Sequence, residues 1–235
     1  MPQGTNTPDM DIKELEKKDA DELAKIGGEL RQIDTDLEVA REKLDRAMNP
    51  RASLQASKAV NELLKRKREL LAEMDKVVDA LHMAIIDYLG RISLQELSKR
   101  QSKEMVQLVQ VANALEQIGD RVATGLVTSA SKRIDENVVV SEQTAEMLAS
   151  FHATVVETLS DVLTAVAKQD AELAKSVRQR RKELAQLARE VATHGIDRLT
   201  ADEPNRLRTY TREMEVVEIL DSVFSTVRRI ARTVG

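Results

Sequence analysis

Cysteine and tryptophan are absent from this 235-residue chain, and phenylalanine and tyrosine contribute only two residues each. The lack of cysteine excludes disulfides, thiolate nucleophiles and zinc sites with cysteine ligands. An aromatic content of 2% leaves little surface for base stacking, and a formal net charge of -4 lacks the basic surplus that phosphate neutralisation favours. The composition therefore argues against a nucleic-acid-binding protein.

Long apolar runs and recognisable catalytic motifs are missing as well. Runs such as Met83–Ile86 fall far short of the roughly 20 residues that a membrane-spanning helix requires, and the amino terminus lacks the features of a signal peptide. The chain contains no Ser/His/Asp spacing, phosphate-cradling glycine loop or nucleotide motif. We therefore expect a soluble, cytoplasmic, non-enzymatic chain without an organic cofactor.

Proline is rare, with four residues in all and none between Arg51 and Glu203. Together with abundant Ala, Leu, Glu, Lys and Arg, this distribution predicts an all-α fold of about six long helices. Three helices, a linker and three helices suggest a duplication. We expect a disordered tail over residues 1–9, a first repeat over residues 10–135 and a second over residues 136–235.

Local signals bound the predicted helices. The first helix runs from Asp9 to Met48, before Asn49-Pro50, and the second from Ser53 to Leu89, before Gly90. The third runs from Ser93, which forms a capping box with Glu96, to about Arg133. The fourth begins at Ser141, the fifth runs from Asp170 to His194-Gly195, and the sixth begins at Thr200–Glu203. The first helix carries apolar residues at alternating spacings of three and four, which is the pattern of a coiled coil. These residues are Leu23, Ile26, Leu30, Ile33, Leu37, Ala40 and Leu44.

The best candidate for a binding site is the stretch VQVANALEQIGDRV, residues 109–122, which sets Glu116 and Asp120 one helical turn apart. The chain has 40 acidic residues, so spacing alone does not distinguish this pair. Small residues beside it, including Gly119, would let a second helix come close. Two crowded carboxylates favour a bound cation or a proton. A solvated or salt-bridged pair is the alternative.

Two other acidic groups are weaker metal candidates. Asp221 is expected inside an apolar stripe of the last helix, with Glu218 at its edge, and a buried carboxylate needs an Arg or Lys, a proton or a cation. In the second helix, Asp79 and His82 stand three residues apart, as ligands do in di-metal helical bundles. A packed histidine with one hydrogen bond is the alternative for His82. The repeated Glu-x-x-His pairs of a ferritin-like oxidase are missing.

Three stretches resemble the PhoU-like domain family, and within it the cytoplasmic carboxy-terminal domain of bacterial sodium/phosphate cotransporter-type proteins. They are DALHMAIIDYLGRISLQELS from Asp79, VANALEQIGDRVATGL from Val111, and AELAKSVRQRRKELAQLAREVATHGIDRL from Ala171. The residues before about Lys76 match poorly. The middle stretch resembles the acidic E-x-x-x-D motif of that family. In the second repeat Val217 stands where the motif glutamate would be, and only Asp221 is retained.

The resemblance implies two three-helix bundles whose acidic motifs hold divalent metal ions in some members, a role that Glu116 and Asp120 would inherit. It also implies regulation of phosphate uptake by a module that acts on, or is fused to, a phosphate transporter. The implied partner is the transporter membrane domain or a phosphate-signalling protein, and contact with the cytoplasmic face of the inner membrane would pass through that partner. The alternative is a metal-free coiled-coil interaction module, for example a homodimer.

Overall fold

The computed structural model describes residues 9–136, 138, 140–199 and 206–234, with side chains from residue 17 onward. The described residues are almost entirely helical and contain no strand, which confirms the predicted all-α class. The elements are α1 (Asp9–Asp45), α2 (Pro50–Ser93), α3 (Lys99–Asp120), a π-helical segment (Arg121–Leu126), α4 (Val127–Asp135), α5 (Glu142–Lys168), α6 (Ala171–Gln179), α7 (Arg181–Leu199) and α8 (Arg206–Ala231).

These elements form six long helical stretches. The π-helical segment joins α3 to α4 without a break, and only Arg180 separates α6 from α7. Each such run is one predicted helix, so the count of six is confirmed for the described part of the chain. Within that part, no helix is long and apolar enough to cross a membrane.

Two predicted boundaries near residue 93 are wrong. Helix α2 continues through Gly90 to Ser93, because an internal glycine costs only about 1 kcal/mol relative to alanine. The capping box belongs instead to Ser98, whose hydroxyl accepts the backbone N–H of Gln101 at 3.3 Å while Gln101 Oε1 accepts the backbone N–H of Ser98 at 3.0 Å. The Ser93 hydroxyl donates to the Gly90 carbonyl at 2.6 Å. The sequence thus contains two possible capping boxes, at Ser93 and at Ser98, and α3 begins at the second.

The other boundaries follow the sequence more closely. Ser141 and Asp170 cap their helices as predicted, each accepting a backbone N–H three residues on. The predicted end at His194-Gly195 is wrong, because Gly195 is buried inside α7, which continues to Leu199. Residues 1–8 of the predicted tail and the predicted start at Thr200–Glu203 lie outside the described residues.

The packing divides the chain into two compact units, Met1–Ala84 and Ile85–Gly235. This division does not test the predicted repeats over residues 10–135 and 136–235, which stay a prediction. We call the two compact units unit 1 and unit 2.

Unit 1 is built on α1 and the first part of α2, which lie antiparallel. The predicted heptad face of α1 is largely buried, and Ile26, Ile33 and Leu37 pack with Leu70 of α2 in one apolar cluster. Arg66 Nη2 donates to Glu29 Oε2 at 3.0 Å, and Lys67 pairs with Asp34. These exposed ion pairs contribute little to stability, so the buried heptad face is what joins the two helices.

Unit 2 has the larger core, and α8 lies at its centre. Helix α8 packs against α3, the π-helical segment, α4, α5, α6 and α7. Its side chains share one continuous apolar cluster with those of α3, α5, α6 and α7. The most deeply buried large side chains of that cluster are Phe151, Val162, Val177, Leu184, Val191, Val227 and Ile230.

Two helical glycines of unit 2 give a matched test of this packing. A Cβ on Gly195 would lie 2.9 Å from Tyr210 Cδ2, whereas a Cβ on Gly90 meets no atom within 4 Å. We predict that Gly195→Ala lowers the free energy of unfolding of unit 2, because overpacking costs about 1–3 kcal/mol and helix propensity returns only about 1 kcal/mol.

The Gly90→Ala variant is the control and should raise the free energy of unfolding by up to about 1 kcal/mol. Urea unfolding followed by circular dichroism measures both variants. A Gly195→Ala variant as stable as Gly90→Ala would contradict the close contact between α7 and Tyr210.

Candidate functional site

The predicted acidic pair lies on the side of α3 that faces away from the core of unit 2. Val111, Ala114 and Ile118 are the residues of α3 in the core cluster of unit 2, and Ala112, one turn before Glu116, is also buried. Glu116 and Asp120 stand roughly 140° to 180° around the helix from Val111. Asp120 is exposed, and Glu116 is half-buried and has a polar or electrostatic partner in the chain.

The helix changes its winding directly after this pair. From Arg121 to Leu126 the backbone is π-helical, and the N–H of Val127 donates to the carbonyl of Val122, five residues back. Gly125 allows this wider turn to approach α8, since a Cβ there would lie 3.2 Å from Ile219 Cδ1. Single π-helical turns inside α-helices often mark functional sites. Here the turn starts at the residue that follows Asp120.

The acids of the last helix do not occupy the expected position. Asp221 is exposed, and so is Glu218, so the prediction that Asp221 lies in the apolar stripe is wrong. The reason is the width of the buried face of α8, which extends from Val217 across Val223 to Ile230. Because the face is this wide, its centre lies about 100° or more around the helix from Asp221. An exposed carboxylate requires no ligand.

The pair on α2 stands apart from the others. Asp79 is exposed and His82 is half-buried, with a polar partner in the chain. Both residues lie in unit 1, whereas the acidic residues of α3 and α8 lie in unit 2. Across the described residues, no three His, Asp or Glu side chains converge in a group that could hold a metal ion. The six predicted ligands therefore do not form one preformed cluster.

Glu116 and Asp120 can still serve as a small, open cation site. Carboxylate oxygens are the ligands that Mg²⁺ and Ca²⁺ prefer, and Mg²⁺ commonly uses one or two carboxylates while keeping several waters. Two carboxylates one turn apart on an outward helix face match that donor set. They suit a hydrated divalent cation rather than an ion enclosed by protein ligands.

Sequence reasoning missed an ionic network that joins α4 to α8. Arg212 donates from Nε and Nη2 to both carboxylate oxygens of Glu136 at 2.9 and 3.2 Å, and from Nη1 to Glu215 at 2.5 Å. Glu215 also accepts the Ser129 hydroxyl at 2.9 Å. Glu136 and Arg212 lie 76 residues apart, and no local pattern predicts their contact. The network places the end of α4 on α8.

The sequence pattern also did not single out the buried carboxylate of Glu213. Glu213 of α8 is 2% exposed, and its nearest cation is Arg198 of α7, whose Nη1 lies 3.5 Å from Oε1. Burial raises the pKa of Glu213, while Arg198, Thr144, His194 and Arg133 act in the opposite direction. Spacing could have identified it, because Glu213 stands four residues before the buried Val217 and seven before Leu220.

The sequence matches the PhoU domain family over residues 46–124 and 148–234, which is well over half of the chain. The chain belongs to the PhoU domain family. A crystal structure of PhoU from Pseudomonas aeruginosa has a similar fold, with a TM-score of 0.63 over 94% of this chain and 96% of that chain, at 17% sequence identity. No match was found among curated proteins.

These comparisons confirm the predicted resemblance to the PhoU family. The expectation that the residues before about Lys76 match the family poorly is wrong for residues 46–76, because the family match begins at residue 46. Membership supports a regulatory role in phosphate homeostasis, and proteins of this family are regulators rather than enzymes. The narrower likeness to the sodium/phosphate cotransporter branch stays a prediction.

The raised pKa of Glu213 gives the fold a predictable pH dependence. A carboxyl with a raised pKa in the folded state contributes most to stability below its unfolded pKa, and that contribution disappears as the pH rises through the folded value. Glutamine cannot ionise, so the stability of Glu213→Gln relative to the parent chain should increase from about pH 4.5 upward.

Urea unfolding at several pH values between about 4 and 8 measures this difference. Glu190→Gln, an exposed change on α7, is the control and should follow the parent chain at every pH. A Glu213→Gln curve that runs parallel to the parent curve would contradict the burial of an ionisable carboxyl at this position.

Proposed function

We propose that this PhoU-family chain is a regulatory module that restrains phosphate uptake by acting on a phosphate transporter. The observation that supports the proposal is the family match in two segments, residues 46–124 and 148–234, which together cover α2, α3, most of α5, and α6, α7 and α8. The transporter we favour is of the sodium/phosphate cotransporter type, because of the three stretches quoted above. The module reaches that membrane protein by docking or by fusion.

Divalent metal binding is the second part of the proposal. Glu116 and Asp120 hold a hydrated cation on the outward face of α3, next to the π-helical turn at Arg121. When bound, the cation neutralises this acidic surface and offers open coordination positions to a partner's oxygen atoms. The module then uses α3 as its contact surface with the transporter or with a phosphate-signalling protein.

The alternative function, a coiled-coil interaction module, depends on a free heptad face. In unit 1 that face already packs against α2, with Ile26, Ile33 and Leu37 buried beside Leu70. A partner helix would have to displace α2 to use it. We therefore favour the regulatory module over a coiled-coil pairing through α1.

The regulatory role predicts a change in phosphate transport. Deletion of the gene in its source cells should raise the uptake of radiolabelled phosphate under phosphate-replete growth, because the transporter is no longer restrained. Re-expression of the parent chain should restore the lower rate. Unchanged uptake in the deletion strain, with protein expression verified in the complemented strain, would contradict the proposed role.

Metal binding predicts that a double variant gives no calorimetric signal. Titration of the parent chain with Mg²⁺, Mn²⁺ and Ca²⁺ should give binding heat for at least one cation, and Glu116→Gln/Asp120→Asn should abolish it. Glu142→Gln/Glu146→Gln removes an exposed acidic pair at the same spacing, on α5, and should keep the binding. Equal heats for the parent chain and the α3 variant would refute the metal site.

A further inference from the structure

A cavity between α3 and the end of α8 is lined by basic and neutral polar side chains, whereas each polar cluster described above contains a carboxylate. Its volume is about 390 Å³, and it lies within unit 2. We call it the α3–α8 cavity. Its lining residues are Gln110, Asn113, Ala114 and Gln117 from α3, and Arg229, Ile230, Arg232 and Thr233 from the end of α8 and the residues that follow.

The polar groups of this lining are guanidinium groups, side-chain amides and one hydroxyl. No Asp or Glu occurs among the described residues that line the cavity. Thr233 donates its hydroxyl to the carbonyl of Ile230 at 2.8 Å, so we count as donors the two arginines and the amides of Gln110 and Gln117. A cavity with two cations and no anion presents a positive field to a ligand.

The two arginines of the cavity reach solvent as well as the lining, and they differ from three other arginines of unit 2. Arg180, Arg198 and Arg212 each have at least one carboxylate within 4 Å. Arg229 and Arg232 have no ion pair in the described part of the chain. Arg229 instead donates from Nη2 to the neutral Oε1 of Gln117 at 2.5 Å. The cavity therefore contains two positive charges that no described carboxylate neutralises.

Neighbouring groups add to the positive charge at this end of α8. Arg228 lies one turn before Arg232, and its Nε is buried without a hydrogen-bond acceptor among the described residues. Its guanidinium carbon lies 5.9 Å from the centroid of the Phe224 ring. Burial, Arg181 and Arg232 lower the pKa of Arg228, and Asp221 opposes them. Two cations and one carboxylate therefore act on Arg228.

The backbone carbonyls at the carboxyl-terminal end of α8 do not provide the counter-charge for these arginines. The carbonyl of Ala231, at the last residue of α8, accepts a hydrogen bond from Arg178 Nη1 at 2.6 Å. The carbonyl of Ile230 accepts the Thr233 hydroxyl. These two terminal carbonyls are therefore already occupied. Among the described residues no carboxylate pairs with Arg229 or Arg232, so their charge is available to an external anion.

We propose that Arg229 and Arg232 bind a phosphate-type oxyanion in the α3–α8 cavity, with the side-chain amides of Gln110 and Gln117 as neutral donors. Guanidinium groups recognise tetrahedral oxyanions through paired N–H donors, and two of them match the charge of a dianion. A tetrahedral oxyanion uses more of the available donors than a carboxylate with two oxygens. The proposal goes beyond the regulatory role, because it rests on this cavity and not on the transporter.

Calorimetry tests the site with two probes, inorganic phosphate and adenosine monophosphate, against chloride at the same ionic strength. Binding of inorganic phosphate but not of adenosine monophosphate indicates that the ligand is free phosphate. Tighter binding of adenosine monophosphate than of inorganic phosphate indicates that the ligand is a phosphorylated small molecule. Both results support the site. Absence of binding by either probe above the chloride background would overturn it.

Two variants locate the binding. Arg229→Gln/Arg232→Gln should weaken it by about 100-fold, at about tenfold for each arginine that the variant removes. Gln117→Glu places a carboxylate beside Arg229 while both arginines remain, and it should abolish oxyanion binding with the fold intact by circular dichroism. This second variant decides the question if the double arginine variant does not fold.

The control is Arg189→Gln/Arg208→Gln, which removes the same charge from exposed positions on α7 and α8. It should bind phosphate as the parent chain does. If the control weakens binding as strongly as the cavity variants, the interaction is with overall charge and the proposed site is wrong. Normal phosphate binding by Gln117→Glu would also overturn it. Neither result bears on phosphate uptake in cells, which tests the regulatory role separately.

Discussion

The burial of α8 among the other helices of unit 2 is the interaction on which that unit depends. Its apolar face is wide, since Val217, Val223, Val227 and Ile230 point into the core from different angles. Burial of large aliphatic and aromatic side chains contributes roughly 1.5–3 kcal/mol each, far more than any exposed ion pair of the chain. The orientation of α8 then decides which of its polar residues face solvent, a cavity or another helix.

Helix α3 shows how one helix can carry two opposite kinds of polar surface. Successive residues are separated by about 100°, so Glu116 and Gln117 face different surroundings. Glu116 belongs to the outward acidic face with Asp120, and Gln117 faces Arg229 of α8. The cation and the oxyanion proposed above would therefore bind on different sides of the same helix, each near groups of opposite charge.

Some arginines of unit 2 form an ion pair with a carboxylate, which we call compensated, and others have no such partner among the described residues. Arg212 with Glu136 and Glu215 is compensated, and its carboxylate partners raise its pKa. A partly buried ion pair gives little net stability, although removal of one partner would be costly. We interpret such pairs as contacts that fix the position of α4 on α8. The arginines at the end of α8 have no comparable partners, which makes that end suitable for binding.

The sequence determined the helical class, the six helical stretches, the caps at Ser141 and Asp170 and the buried heptad face of α1, because these depend on local propensity, hydrogen bonding and periodicity. It also identified the family and placed Glu116 and Asp120 one turn apart. Only the tertiary structure decided that Asp221 is exposed and that Arg229 meets Gln117. Both depend on how α8 is rotated against helices far away in the chain, and the apolar residues of α8 are spread too widely around the helix for their spacing alone to fix this rotation.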